Sequence, residues 1–514
     1  MKKYIVMSAL ALGLCMSSCD SYLDINQNPQ SPSEANVTSS MIMPGAEMAI
    51  ANAYGNYLRI TGGYHSQVYA QLNGTSNYVD YSEFQQSATR CSGTYTQLYQ
   101  SALVNLKTIL EKSEASEDWG TYLAATTLRA FAFETLVDCF GETPYTEALD
   151  ADNLSPKYDD GKTVYDGIIA EIDNALSKAS ASSTVCTNFL FPDASAEQWI
   201  QFAKALKLKL LMREANVDSS VLPKVKALID ENNFPTKDIA YTSCWGTESG
   251  SMNPFYSEEF SSAWGSTQVN VCANLAIIGS MQIKNASGDV VYTDPRLAAF
   301  FEKNTDGKYV GGVSGTNYPS TTSLTKWCRP IETATSPLSL LSVAETEFFI
   351  SEYYARTNDE ANAKAHYDKA IEASFASAGV EGAAEHIAQF PFDMANYKKS
   401  IGVQKWIALS GVNTFEAWCE LRRLDYPAFD TTKKGSDFYT KGNDGSFTDS
   451  GYQAGTLYTP IDVFSQVGAN KLLERFPYAE SSSSRNSNTP TFTNSDYTKP
   501  VFWGELSNSV SLIK

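Results

Sequence analysis

Residues 400–429 read SIGVQKWIALSGVNTFEAWCELRRLDYPAF and carry the strongest fold signal in the chain. The first half gathers apolar residues into one short segment, and a glycine and an asparagine then interrupt the pattern. In the second half, Phe415, Trp418 and Leu421 recur at every third position with charged residues between them. Pro427 closes the segment. The pattern predicts two helices joined by a tight turn, with apolar faces that must be buried against neighbours.

The same periodicity predicts further helices along the chain. A first helix is expected over 39–58, before three more helix pairs. Helix pairs of this kind cannot bury their apolar faces alone and must stack on one another. The spacing is not constant, so we expect an interrupted array of tetratricopeptide-like pairs; an unrelated helical bundle fits the periodicity equally well. With the opening stretch, the four predicted pairs occupy about 97–140, 163–215, 338–376 and 400–425.

The N-terminus has the pattern of a lipoprotein signal. Lys2 and Lys3 precede an apolar run that is shorter than the ~20 residues of a membrane-spanning helix. Small residues then come directly before Cys19, which predicts cleavage after residue 18 and acylation of Cys19. The alternative is ordinary signal cleavage with Cys19 a bystander. Residues 19–40 are polar and rich in Asn, Ser and Pro, so we expect an extended tether there.

Four segments resemble the SusD/RagB family, and together they extend over most of the chain. One segment departs from the family pattern, because Ala479 stands where the family usually has proline and a run of four serines follows. The order and spacing of the segments nevertheless match. They are RAFAFETLVDCFG at 129–141 with Pro144 and Tyr145, AETEFFISE at 344–352 after Arg329 and Pro330, QKW, EAW and RR..YP within 404–427, and RFPYAE at 475–480 with Asn486.

The resemblance implies a fold and a role. The fold is mainly α, with a tetratricopeptide-like scaffold and an irregular, aromatic-rich lobe in a single SusD-like domain over 41–514. The role is that of a nutrient-binding lipoprotein of Bacteroidetes, anchored to the outer membrane and facing the cell exterior. Such a protein captures glycan and delivers it to a TonB-dependent transporter of the SusC/RagA type. The RagB-like alternative captures peptides, and a scaffold or adhesin without a small ligand is a further alternative.

Composition limits the classes of partner. The formal net charge is −19, with 58 acidic against 39 basic residues. A nucleic-acid-binding protein needs a basic footprint, so this charge argues against nucleic acid as a partner. After Cys19 the chain has seven cysteines without a CxxC motif, which favours neither a zinc site nor a disulfide framework.

Catalytic motifs are absent from the sequence. HExxH, GxSxG and the phosphate-binding GxxxxGK[ST] pattern do not occur, and three histidines make a His-rich metal centre improbable. Acidic pairs such as Glu258 with Glu259 are common, and in so acidic a chain most serve as solvated surface. We therefore expect binding without turnover, with no cofactor and no metal. A secreted hydrolase with an unrecognised acidic pair is the alternative.

Two segments combine aromatic rings with polar neighbours outside the helical pattern. One lies within 62–84, and the other is the lobe over about 232–337, which is rich in Gly, Ser, Thr and Asn. Aromatic rings stack on the CH-rich faces of sugars while polar groups read the hydroxyls. Structural packing is the alternative for each residue. The candidate ligand contacts are Tyr64, Asn73, Tyr78, Tyr81, Trp245, Trp264, Tyr318 and Trp327, whereas Trp199, Trp406 and Trp418 are assigned to the core.

Overall fold

A computed structural model of the protein describes residues 36–71, 77–193, 195–262, 270–315, 326–440 and 446–504. Helices account for 52% of it, which confirms the prediction of a mainly α fold. Cys19 and nearly all of the predicted tether lie outside the described residues. That residues 41–514 form a single domain stays a prediction. Within the described part of the chain, no helix is both long and apolar enough to cross a membrane.

Helices occupy all four predicted pairs. π-helical turns at Ala53–Leu58 and Gln97–Leu103 connect consecutive α-helices near the N-terminus. The longer α-helices are Ser39–Asn52, Arg59–His65, Ala88–Thr96, Val104–Ala115, Trp119–Phe140, Gly161–Lys178, Ala196–Glu214, Leu222–Glu231, Val343–Arg356, Glu360–Ala378, Ala383–Gln389, Tyr397–Ser410 and Thr414–Leu424. Shorter helices are Val79–Ser82, Pro254–Glu259, Leu275–Met281, Leu297–Phe300, Gly435–Phe438 and Glu480–Ser483, with 3₁₀ turns at Ser219–Val221, Met394–Asn396 and Asn494–Thr498.

Strands among the described residues are short and pair only in twos. The predicted helix from residue 338 begins later, because Leu338–Leu341 is a buried strand. Ser342 follows it and accepts the amide hydrogen of Glu345, so the helix begins at Val343. Four antiparallel pairs join Tyr69–Gln71 with Val271–Ala273, Ile239–Tyr241 with Leu338–Leu341, Gln282–Lys284 with Val290–Thr293, and Glu142–Thr143 with Asp159–Asp160; Ala428–Lys434 pairs in parallel with Thr456–Thr459.

The C-terminal hairpin of 400–429 lies in the core, as its pattern predicts. Trp418 is fully buried and stacks on Phe476 with 4.9 Å between ring centroids. Beside it, Arg422 donates from Nη1 to the backbone oxygens of Asp138 and Glu474, at 2.9 and 2.6 Å. Three segments that carry the family resemblance therefore meet around one tryptophan. Trp199 and Trp406 are buried too, which confirms that they belong to the core.

Charged side chains cross the interior between the helix pairs. Arg213 donates to Glu134 at 2.7 Å and to Glu416 at 2.5 Å, and it also pairs with Asp138. Burial alone raises the pKa of Glu416, but Arg213 and Lys209 lower it to about 2. The buried ion network, as we call it, ties five helices together. Its members are Glu134, Asp138, Lys209, Arg213, Glu352, Lys405, Glu416, Glu420 and Arg423.

The predicted lobe contains more regular structure than its composition indicates. Short helices and strands divide it, and its strand Val271–Ala273 pairs with Tyr69–Gln71 of the 62–84 segment. Cys272 also donates from its thiol to the backbone oxygen of Ala70 at 3.4 Å. The two segments that the sequence singled out are thus joined, although about 200 residues separate them in the chain.

Candidate functional site

Three of the predicted ligand contacts form one cluster. The rings of Tyr78 and Tyr81 stack with centroids 5.5 Å apart, and both tilt against Tyr64, at 5.8 and 6.2 Å. Gln71 and Asn270, which end the paired strands, each accept a hydrogen bond from the Tyr64 hydroxyl. The cluster therefore sits where the 62–84 segment meets the lobe.

These tyrosines offer little ring surface to a ligand. Tyr64 is 0% exposed, Tyr81 is 1% exposed and Tyr78 is 7% exposed. Sugar stacking requires an accessible ring face, and these three rings are buried. Ligand contact by Tyr64, Tyr78 and Tyr81 stays a prediction.

Two glutamates lie beside the cluster. The Tyr78 hydroxyl donates to Glu258 at 3.4 Å, and Asn270 donates to Glu259 from its backbone and side-chain nitrogens at 3.3 and 3.2 Å. Burial raises the pKa of the Tyr78 phenol well above its usual value, and the carboxylates of Glu259 and Glu258 raise it further. Tyr78 therefore stays protonated and acts as a hydrogen-bond donor.

A half-buried aromatic pair lies on the helix that carries these glutamates. Asn253 caps this helix through Oδ1, and Pro254 is its first residue. Tyr256 and Phe260 then stack with 5.9 Å between centroids. The Arg329 guanidinium lies 4.4 Å from the Phe260 centroid. We call Tyr78, Tyr256, Glu258, Phe260 and Arg329 the lobe face.

The lobe face combines what a polar ligand needs. It has two stacked rings with partial exposure, one carboxylate and one guanidinium. Tyr256 and Phe260 are not among the predicted contacts, although their i, i+4 spacing after a capping Asn and a helix-starting Pro is the signal for two rings on one side of a short helix and its C-cap.

The remaining candidates lie elsewhere or outside the described residues. Trp245 is half-buried, donates from Nε1 to the Tyr241 backbone oxygen at 3.0 Å and packs edge-on against the Tyr241 ring. Trp327 is buried and meets Phe447 edge-on at 5.0 Å. Neither tryptophan belongs to the tyrosine cluster. Asn73, Trp264 and Tyr318 fall outside the described residues, and ligand contact by these three stays a prediction.

One group of side chains in the described part of the chain has the spacing of metal ligands. Ligand atoms of Asp138, Glu416 and Cys419 lie within 4.8 Å of one another, and all three residues are buried. Arg213 bonds to both carboxylates, so their charge is already balanced by a guanidinium. Asp138 and Glu416 belong to the buried ion network, so the group has little negative charge left to attract a metal cation.

Comparison with known proteins identifies relatives of this chain. A SusD-like family model, described as "Starch-binding associating with outer membrane", matches residues 29–441. No curated protein matches the chain.

Solved structures with the same fold support this match. A SusD homolog from Bacteroides uniformis is 20% identical, with a TM-score of 0.68 over 91% of this chain and 99% of its own. A SusD/RagB family protein from Bacteroides thetaiotaomicron is 20% identical, with a TM-score of 0.66 over 91% and 100%. A chitin-binding protein is 16% identical, with a TM-score of 0.67 over 90% and 99%. Identities this low show a shared fold alone.

Proposed function

The chain belongs to the SusD-like family, and from that premise we propose that it captures glycan at the cell surface and passes it to a TonB-dependent transporter. The family is one of non-catalytic, outer-membrane-associated proteins that bind glycans and other nutrients. Acylation of Cys19 would attach this chain to the membrane. A SusC/RagA-like barrel would be the transporter that receives the glycan.

The lobe face is the observation that carries a binding role. Its Tyr256 and Phe260 rings are half-buried, so an apolar sugar face gains contact area there without a large rearrangement. Arg329 lies over the Phe260 ring and Glu258 accepts from the Tyr78 hydroxyl, so a donor and an acceptor for sugar hydroxyls accompany the rings. In the buried ion network the charged side chains pair with one another, so we assign the network a structural role.

Calorimetric titration of the purified protein tests the ligand class. Probes are chitotetraose, maltotetraose, mannotetraose, an acidic oligosaccharide and a mixed peptide pool. Saturable binding of a neutral oligosaccharide without any cleavage supports the proposal. Binding of peptides alone would favour the RagB-like alternative, and product formation would favour the hydrolase. One solved relative is a chitin-binding protein, so chitotetraose is the first probe.

The membrane anchor has its own test. We expect Cys19→Ala to move the protein from the outer-membrane fraction into a soluble fraction, because the thiol that receives the lipid is missing. Cys15→Ala in the same signal segment is the matched control and should leave the distribution unchanged. Membrane association that persists in Cys19→Ala would contradict lipid anchoring at this residue.

A further inference from the structure

A cleft lies outside the lobe face. It is formed by residues 275–288, 309–311 and 447–454 and has a volume of about 520 Å³. Ligand-binding pockets commonly measure roughly 300–1,000 Å³, so the cleft is large enough for a small ligand. No residue of the lobe face lines it.

Aromatic rings form two of the cleft walls. Tyr309 and Phe447 line it and are half-buried, so part of each ring is accessible. Trp327 supports Phe447 from behind through an edge-on contact at 5.0 Å. Rings held in this way can stack on a flat ligand at little cost in side-chain entropy.

A third ring is fixed by its hydroxyl. Tyr452 lines the cleft and donates to the Thr456 backbone oxygen at 2.6 Å, with the Ala276 backbone oxygen 3.0 Å away. Its ring lies against Gly279, where a Cβ would approach it to 2.4 Å. Because Gly279 has no side chain, the Tyr452 ring can pack directly on the Gly279 backbone and form part of the cleft wall.

The polar lining of the cleft carries no net charge. Lys284 and Asp449 both line the cleft and form an ion pair with each other. The remaining polar groups are neutral, and they include Gln282, Asn285 and Ser450. Rings combined with amides and hydroxyls match a neutral, hydroxyl-rich ligand better than an anion or a cation.

A second cavity adjoins the cleft. Its volume is about 440 Å³, and it shares the wall residues Ile283 and Ala454 with the first. Gln404 lines this second cavity and is 3% exposed. Two adjoining cavities with a common wall suit an extended ligand rather than a single compact one.

Gln404 brings a buried donor to this cavity. Its Oε1 lies 2.7 Å from His386 Nε2 and 3.4 Å from Arg296 Nη2. Burial and Arg296 lower the pKa of His386 to about 4, so His386 is neutral at pH 7; the Tyr292 hydroxyl lies 2.7 Å from its Nδ1. Arg296 Nη2 also lies 3.2 Å from His386 Nε2, so Gln404, His386 and Arg296 form one buried polar cluster.

The amide orientation of Gln404 follows from this contact. With Oε1 held by His386 and Arg296, the Nε2 group of Gln404 is directed away from them. A ligand hydroxyl in the cavity is a suitable acceptor for this amide.

We propose that these two cavities form a second binding groove, in which a neutral oligosaccharide stacks on Tyr309 and Phe447 and accepts a hydrogen bond from Gln404. The groove deepens the proposed function, on which it rests, by adding a site away from the lobe face. One chain would then hold two parts of a long glycan, or two short glycans.

Titration of the purified full chain with neutral oligosaccharides of four and eight residues tests the groove. The probes are chito- and malto-oligosaccharides. We expect Phe447→Ala to weaken binding of the eight-residue probe about tenfold, because a stacking ring is lost. Gln404→Leu keeps the side-chain size, removes the donor and should weaken binding several-fold. Tyr122→Ala, a half-buried ring far from the groove in sequence, is the control.

The outcomes separate the groove from the proposed function. Loss of affinity in Phe447→Ala and Gln404→Leu, with Tyr256→Ala still binding the short probe, supports the groove. If Tyr256→Ala alone weakens binding and both groove variants match the wild type, the groove is overturned while glycan capture stands. If no oligosaccharide binds the wild type, both fail. Circular dichroism on each variant confirms that it is folded.

Discussion

The buried ion network and the lobe face hold similar chemical groups in opposite situations. In the network, Arg213 is fully buried, and each of its carboxylate partners is buried as well. On the lobe face, Glu258 and Arg329 are only partly buried and flank rings with accessible surface. Charges paired inside a core fix helix positions, whereas polar groups beside open rings can exchange water for a ligand. The network therefore has a structural role, whereas the lobe face is the surface that we propose for binding.

The largest expected effect comes from breaking the network. Arg213→Met leaves the carboxylates of Glu134, Asp138 and Glu416 without this buried cation, which should lower the free energy of unfolding by about 3–5 kcal/mol. Urea denaturation measures this loss in the free energy of unfolding. Lys226→Met, which removes an exposed i, i+4 pair with Asp230, is the control and should cost less than about 0.5 kcal/mol.

Equal losses in these two variants would contradict the contrast between core and surface charges. The contrast is supported if only Arg213→Met loses stability. Its affinity for glycan should stay unchanged at a temperature where both variants are folded.

The pH dependence of the network should come next in size. Burial alone would raise the pKa of Glu352, but Arg423 and Arg356 lower it from 4.5 to about 2. Because the pKa of Glu352 is lower in the folded protein than in the unfolded chain, its ionised carboxylate stabilises the fold above pH 4.5. This stabilisation is lost as the pH falls toward 2. Glu352→Gln should therefore be about 3 kcal/mol less stable than the wild type at pH 7, with the difference shrinking below pH 4.5.

Urea denaturation of both proteins across pH 3–7 measures this difference. A difference in stability that stays constant from pH 3 to pH 7 would show that the Glu352 carboxylate is not stabilised by its arginine partners. Asp230→Asn is the surface control, and its difference from the wild type should stay within about 0.5 kcal/mol throughout.

The smallest expected change in stability belongs to the lobe face. Tyr256→Ala removes a half-buried ring that stacks on Phe260, so we expect a loss of about 1 kcal/mol in stability and about a tenfold loss in glycan affinity. Calorimetry and thermal denaturation on the same samples measure both. Tyr122→Ala is the control for a half-buried ring on the scaffold, and its glycan affinity should match the wild type.

The helical scaffold could be predicted from sequence because its signals are local. Apolar periodicity, capping residues and Gly141 at a helix end are all read within a few residues, and Gly141 does end its helix with a φ of +80°. The strand Leu338–Leu341 was missed because a short apolar run before a helix looks helical until its partner strand, Ile239–Tyr241, is known.

The site was harder to predict because exposure is a property of tertiary packing. Tyr64 and Tyr81 have the same composition-based signal as Tyr256, yet those two are buried whereas Tyr256 is half-buried. Nothing in the local sequence tells which tyrosine turns inward. The structure joins the two segments that the sequence singled out and buries Tyr64 and Tyr81 within them, and ligand contact at either segment stays a prediction.

Hydrogen exchange with mass spectrometry, with and without the tightest-binding oligosaccharide, tests most directly whether the ligand binds the lobe and not the scaffold. We expect added protection in peptides covering 254–262 and 326–330, with unchanged exchange in the helices Trp119–Phe140 and Ala196–Glu214. Protection confined to those two helices, with none in the lobe peptides, would contradict the account.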